Sequence, residues 1–147
     1  MTADPLELPD LTLDQLEVSA DNLDIGKAAG IYNAFVKWVP ICPEVEIGMG
    51  TPRETIRLEG SVDAPPLIAT KSGVDHTNAM KRWSKQRMKA LDELDLHGFV
   101  LKRASPSCGA FRVKVHPENG GTPLNRGQGV FARALAQRCP PERRRVA

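Results

Sequence analysis

The chain has 147 residues, which is the size expected of a single domain of roughly 100 to 150 residues. Its 20 basic and 18 acidic residues nearly balance, so the overall charge does not indicate nucleic-acid binding. No apolar run approaches the roughly 18 residues that a membrane-spanning helix needs, and the acidic N-terminus lacks the features of a signal peptide. We therefore expect a cytoplasmic protein that does not span a membrane.

The N-terminal part of the sequence changes character near residue 29. Residues 1–28 are acidic with irregularly spaced apolar residues, which predicts one short helix around residues 12–18 or a loosely attached arm. Residues 35–41, FVKWVPI, are rich in β-branched and aromatic residues. They predict a buried strand that runs into a loop at Cys42.

The middle of the chain predicts short extended segments before a long helix. Thr51, with proline next and glutamate three positions on, has the capping-box pattern and predicts a short helical turn. TIRLEG and PPLIATKSG predict two extended segments joined by a turn. Asp75 is a candidate N-cap for a helix over about residues 76–95. The periodic face of that helix consists of Met80, Trp83, Arg87, Met88, Leu91 and Leu94.

The C-terminal third predicts strand, loop, strand and helix. GFVLK and FRVKV have the pattern of strands, and SPSCG between them cannot continue either one. HPENGGTPLNRGQG predicts a surface loop, and GVFARALAQR predicts a short final helix. The order of strands and helices favours an α/β domain with a mainly parallel sheet, in which sites collect beyond the carboxyl ends of the strands. Cys42 and Cys108 both fall in that zone.

The two cysteines are the strongest candidates for chemistry. Three cysteines in a chain without an export signal do not suggest a disulfide framework. Cys42 and Cys108 lie in loops rich in proline and glycine, where free backbone N–H groups can hydrogen-bond sulfur, as at iron–sulfur clusters. Their wide separation matches no compact metal-binding motif, so a structural role for both is an equal alternative.

Three oxygen-bearing side chains lie beside the cysteines. Glu44 follows Cys42 by two residues and is a candidate general acid or base. Its alternative roles are a solvated glutamate or an ion-pair partner of Arg53 or Arg57. Ser105 and Ser107 precede Cys108, and their hydroxyls either contact a substrate or close the turn.

CPEVEIGMGTPRET and SPSCG together closely resemble motifs of the bacterial thiouracil desulfurase (TudS-like) family. The likeness extends from about Tyr32 to Arg138 and includes TKSGVDHT, GFVLK and NRGQGVFARAL. It implies that residues 29–138 form a Rossmann-like α/β desulfurase domain, preceded by an atypical arm and followed by the basic tail 139–147. The implied substrate is a thiolated uracil, or thiouridine as a small molecule or within RNA.

The resemblance also implies a cofactor and roles for five residues. The family holds a 4Fe-4S cluster by three cysteines, and its fourth iron takes sulfur from the substrate. Cys42 and Cys108 match two of those cysteines. Glu44 matches the glutamate implicated in proton transfer or water activation, and Ser105 and Ser107 match a substrate-contacting position, with Ser105 named first.

The two ends of the chain depart from the family pattern. The third family cysteine belongs to an N-terminal SxCLLG motif, and residues 1–30 contain no cysteine. Cys139, in CPPERRRVA, matches no family ligand and reads as an incidental tail residue. Both mismatched ends look like the products of truncation or of an altered reading frame. A third ligand is therefore expected from Cys139, from an aspartate of the arm or from a partner chain.

Two other functions are compatible with the sequence. The first is a cluster-free remnant that binds a pyrimidine without catalysis. The second is an RNA-binding accessory that uses the basic residues of the long helix, from Lys81 to Lys89, although a solvated helix face is the commoner explanation of such a run.

Overall fold

A four-stranded mixed sheet with helices organises the part of the chain that the computed structural model describes, residues 37–138. The chain divides into one unit over Met1–Trp38 and a second that begins at Val39, and the sheet and helices all belong to the second. Its elements are α1 (Pro43–Glu46), β1 (Ile56–Glu59), β2 (Leu67–Ala69), α2 (Thr77–Asp92), β3 (Val113–His116), β4 (Leu124–Gly127) and α3 (Val130–Arg138). No helix within the described range is both long and apolar enough to cross a membrane.

The sheet confirms the α/β class and shows that the prediction of a mainly parallel sheet is wrong. The strand order is β2-β1-β3-β4, and only the β1–β3 pair is parallel. Short connections join β1 to β2 and β3 to β4, and such connections return the chain in the antiparallel direction. The parallel pair is the one whose connection contains a helix, α2. The sheet therefore has two hairpins and one crossover.

One core forms between the sheet and α2. Leu58, Leu67, Val113 and Val115 from three strands pack with Met80 of α2, and all are essentially inaccessible to solvent. Burial of each such side chain stabilises the fold by about 1.5–3 kcal/mol. In β3 the valines point inward while the lysine between them is exposed, as the alternation in VKVH predicts.

A second apolar cluster joins the two longer helices. Met88 and Leu91 of α2 pack against Phe131 and Leu135 of α3, with Cys108 partly buried beside them. The ring of Trp83 lies 5.2 Å from the ring of Phe131. This cluster fixes the position of α3, and α3 in turn holds the loop that carries Cys108.

The long helix and the two extended segments before it agree with the sequence. α2 begins one residue later and ends three residues earlier than expected, and its N-cap is His76 rather than the predicted Asp75. The carboxylate of Asp75 nevertheless accepts a hydrogen bond from the Thr77 N–H at 2.8 Å. The hydroxyl of Thr77 accepts the N–H of Leu67 at 2.8 Å, which ties the start of the helix to β2. Leu94 lies beyond the end of the helix and is half exposed.

Two predicted strands are absent from the described residues. Residues 37–41 contain no strand, and residues 35–36 lie outside the described part. Pro40 cannot donate a ladder hydrogen bond, which disfavours a strand there. Residues 98–102, GFVLK, are also irregular, and Phe99 and Val100 are exposed. Apolar, β-branched sequence is not sufficient when no neighbouring strand pairs with it.

The predicted helical turn at Thr51 is also wrong, because Glu54 caps a different segment. Its carboxylate accepts hydrogen bonds from the N–H groups of Lys71 and Ser72, both at 2.9 Å, and from the Ser72 hydroxyl at 2.5 Å. These bonds lower the pKa of Glu54. Further along, the predicted surface loop 116–129 contains β4, whereas the final helix is confirmed as α3. The predicted helix at 12–18 lies outside the described residues.

Candidate functional site

The SPSCG loop, residues 105–109, is a tight turn closed on Ser105. The Gly109 N–H donates to the Ser105 carbonyl at 2.8 Å, and the Ser105 hydroxyl accepts the N–H groups of Ser107 at 3.3 Å and of Cys108 at 3.1 Å. Both serines are buried, with Ser107 fully inaccessible to solvent. The turn-closing role that the sequence left open is therefore observed for the Ser105 hydroxyl.

The N-terminus of α3 forms hydrogen bonds with the same loop. The N–H groups of Phe131 and Ala132 donate to the Ser107 carbonyl at 2.9 and 3.2 Å, and that of Gly129 donates to the Gly109 carbonyl at 2.8 Å. The first N–H groups of a helix have no partner within the helix, so the loop carbonyls satisfy them. A Cβ atom at Gly129 would lie 2.5 Å from the Ser107 carbonyl carbon. Only glycine permits this close approach.

Cys42 and Glu44 are positioned by the short helix α1. Cys42 is its N-cap residue, Pro43 follows at the first position and is buried, and the Glu46 N–H donates to the Cys42 carbonyl at 3.0 Å. Proline is well suited to a first helical position because its missing N–H would have no partner there. At the other end of α1, the carboxylate of Glu46 accepts the indole N–H of Trp83 at 3.0 Å, which attaches α1 to α2.

Glu44 and Ser107 join the two loops directly. The Ser107 hydroxyl donates to Oε1 of Glu44 at 2.5 Å, although 63 positions separate the two residues in the chain. The other carboxylate oxygen lies 3.5 Å from the Cys42 sulfur, and the Ser107 hydroxyl lies 3.5 Å from the Cys108 sulfur. One carboxylate–hydroxyl pair therefore contacts both sulfur atoms.

The surroundings of Cys108 favour its neutral thiol. Burial raises the pKa of Cys108, and the charges of Glu44 and Cys42 raise it further. Hydrogen bonds from Ser107 and Ser105 act in the opposite direction. A bound cation would reverse this preference, because metals bind the thiolate.

Arg53 is the residue at this site to which the sequence assigned no function of its own. Its Nη2 atom lies 3.6 Å from the Cys42 sulfur and 4.0 Å from Oε2 of Glu44, and its Nη1 donates to the Gly50 carbonyl at 3.3 Å. Of the two candidate ion-pair partners of Glu44, Arg53 is therefore the one observed, whereas Arg57 pairs with Glu59. The spacing of Arg53 after CPE gave no signal for a contact with sulfur.

A cleft of about 410 Å³ opens beside this cluster. Glu44, Arg53 and Ser105 lie on its wall together with Lys102 and Arg103. Its size falls within the roughly 300–1,000 Å³ of small-molecule sites. Neither cysteine is among its lining residues, whereas Glu44 and Arg53 both line the cleft and both contact the Cys42 sulfur.

Within the described range, the candidate ligands for a metal are two thiols. Cys42 and Cys108 are both free, and no group of three or more His, Cys, Asp or Glu side chains converges there. Thiolates are the ligand type that iron–sulfur clusters use, commonly four cysteines to a cluster, and the Glu44–Ser107 pair connects the two thiols. Cys139 lies outside the described residues.

Comparisons with known proteins point to one family. The 2-thiouracil desulfurase family matches residues 21–142 of the chain. The chain is also similar to a protein of Bacillus subtilis (strain 168) described as uncharacterized protein YbbK, with 33% identity over 106 residues, covering 69% of each chain. No solved structure matches the chain significantly.

Proposed function

Because this chain belongs to the 2-thiouracil desulfurase family, we propose that it is a desulfidase that removes sulfur from a thiolated uracil or thiouridine, free or within RNA. The observation that carries the proposal is the hydrogen bond between Glu44 and Ser107. Glu44 contacts the sulfur of Cys42, and Ser107 contacts the sulfur of Cys108. A partly buried carboxylate that contacts one thiol directly and the other through Ser107, and that lines a cleft, is suited to proton transfer during replacement of sulfur by oxygen. The net reaction consumes water and releases hydrogen sulfide.

In this proposal Cys42 and Cys108 hold a 4Fe-4S cluster. Their thiolates are the ligand type that iron–sulfur clusters use, and the hydroxyl of Ser107 and guanidinium of Arg53 lie within hydrogen-bonding reach of the two sulfurs. When bound, such a cluster would supply an iron atom that accepts the sulfur of the substrate. The third ligand comes from Cys139, from an aspartate of the N-terminal arm or from a partner chain.

Glu44 and the serines have separate roles in the proposal. Glu44 takes a proton from the attacking water and later gives it to the departing sulfur, while Ser107 fixes the orientation of the carboxylate. Ser105 lies on the cleft wall and positions the pyrimidine. Substitution Glu44→Gln keeps the size of the side chain and removes its proton acceptor, so we expect turnover to fall about 10²- to 10⁴-fold with iron content unchanged.

Anaerobic reconstitution with iron and sulfide tests the cofactor. The wild-type chain is expected to develop absorbance from iron–thiolate charge transfer, and Cys42→Ala or Cys108→Ala is expected to lose it. Cys139→Ala tests the source of the third ligand: loss of the absorbance identifies Cys139 as that ligand, and unchanged absorbance assigns the ligand to the N-terminal arm or to a partner chain. A wild-type chain that binds no iron, or binding unaffected by either motif substitution, would remove the cluster from the proposal.

A second function is favoured by the presence of only two converging thiols in the described range. In this alternative the protein binds a pyrimidine without cluster or turnover. Calorimetry with 2-thiouracil on metal-free protein separates the two functions. Binding without sulfide release after reconstitution supports the alternative, whereas sulfide release that depends on Glu44 supports the desulfidase.

A further inference from the structure

A second cleft, of about 570 Å³, lies between α2 and α3. Ser84 and Lys85 of α2 line one side of it, Arg133 of α3 lines the other, and Gln128 precedes α3. It does not share a lining residue with the cleft beside Glu44. This is therefore a separate concave surface whose chemistry the proposed desulfidase function does not use.

Ser84 is a buried donor without a partner. The residue is 1% exposed, lies among the apolar residues on the inner face of α2, and its hydroxyl makes no hydrogen bond to another described residue. An unsatisfied buried hydroxyl costs about 1–3 kcal/mol, because it has lost its hydrogen bonds to water. Because Ser84 lines the cleft, a small shift of the cleft wall would let a ligand oxygen reach the hydroxyl and restore the missing bond.

The charged side chains that line the cleft are all basic. They are Lys81, Lys85, Arg133 and Arg138, and no carboxylate in the described range lines it. Arg138 pairs with Asp92, and Arg133 donates to the uncharged carbonyls of Val62 and Asp63. The positive charge that an anion would meet therefore comes mainly from Lys81, Lys85 and Arg133.

We propose that this cleft binds a phosphate-type oxyanion, either inorganic phosphate or the phosphate group of a small phosphomonoester. The Ser84 hydroxyl donates to one oxygen of the anion. Lys81 and Lys85, one turn apart on α2, neutralise its charge, since a lysine binds phosphate as a point charge with three donors. The site stands independently of the iron-binding function of Cys42 and Cys108.

The test is a titration of the full-length, metal-free chain at constant ionic strength. Calorimetry and thermal unfolding are followed with inorganic phosphate and with glycerol 3-phosphate, using chloride and glycerol as the matched blanks. We expect saturable binding and a rise in the unfolding temperature with phosphate but not with chloride. Tighter binding of glycerol 3-phosphate identifies a phosphomonoester site, and equal or weaker binding identifies a site for the free anion.

Substitutions on α2 localise the site. Ser84→Ala and Lys85→Gln are each expected to weaken phosphate binding about tenfold, in line with the loss of a hydrogen bond to a charged group. Lys89→Gln is the control, because Lys89 lies on the same helix but does not line the cleft. The proposal is overturned if phosphate and chloride act alike, if Ser84→Ala binds normally, or if Lys89→Gln weakens binding as much as Lys85→Gln.

The same titration separates this proposal from the desulfidase. Cys42→Ala is expected to bind phosphate like the wild type while failing to assemble a cluster. Loss of phosphate binding with an intact cluster would refute only the anion site. Loss of the cluster with intact phosphate binding would refute only the cluster.

Discussion

Substitution Gly129→Ala tests whether the contact between α3 and the SPSCG loop holds Cys108 in place. A Cβ atom at this position would lie 2.5 Å from the carbonyl carbon of Ser107 and 2.8 Å from the amide nitrogen of Cys108. Both are main-chain atoms, so no rotation of a side chain can relieve the overlap. The loop and the start of α3 must move apart.

The loss of stability expected for Gly129→Ala follows from the contacts that this movement strains. Overpacking of a closely packed site costs about 1–3 kcal/mol. The Ser107 carbonyl also accepts hydrogen bonds from the N–H groups of Phe131 and Ala132, and each contributes about 1 kcal/mol net. We therefore expect Gly129→Ala to lower the free energy of unfolding by about 2–4 kcal/mol.

Urea denaturation of the metal-free chain measures this change, with Gly98→Ala as the matched control. A Cβ atom at Gly98 would have no neighbour within 4 Å, and its backbone lies outside the left-handed region. Because alanine has fewer unfolded conformations than glycine, Gly98→Ala is expected to be neutral or to stabilise by up to about 1 kcal/mol. Equal free energies of unfolding for the two variants would refute this account of the loop.

Three further predictions concern the core and two titrating groups. Met80→Ala is expected to lower the free energy of unfolding by about 2–5 kcal/mol, whereas half-exposed Leu94 tolerates alanine within about 0.5 kcal/mol in the same urea assay. Hydrogen bonds from residues 71–72 lower the pKa of Glu54 below its usual 4.5. The extra free energy of unfolding of the wild type over Glu54→Gln should therefore be complete above pH 4.5 and lost as the pH falls through the lowered pKa. A difference between the two proteins that does not change with pH would contradict this. Since burial raises the pKa of Cys108, the midpoint of its alkylation rate, followed by peptide mass spectrometry, should lie above pH 9.0, and a midpoint at or below 9.0 would contradict it.

The mistaken predictions share a physical cause. The strand pattern of GFVLK is local, but a strand also needs a partner, and none of the described strands pairs with residues 98–102. The capping-box pattern at Thr51 is likewise local, whereas Glu54 accepts hydrogen bonds from residues 71–72, which are distant in the chain. In both cases contacts between distant parts of the chain override the local preference.

At the candidate site too, local motifs could be predicted from the sequence and contacts between distant residues could not. Its residues could be chosen from the sequence because CPE and SPSCG are local motifs with a specific resemblance, and proline and glycine place them in turns. The sequence could not predict two contacts, because no periodicity encodes them: the hydrogen bond from Ser107 to Glu44 and the contact between Arg53 and Cys42.

The sequence by itself determined the helix over Thr77–Asp92, the alternation in β3 and the identity of the two cysteine motifs, because each depends on residues close together in the chain. Only the tertiary structure decided the mixed sheet, the joining of the two motifs through Glu44 and Ser107, and the buried, unpartnered hydroxyl of Ser84. These features depend on which distant segments meet when the chain buries its apolar side chains.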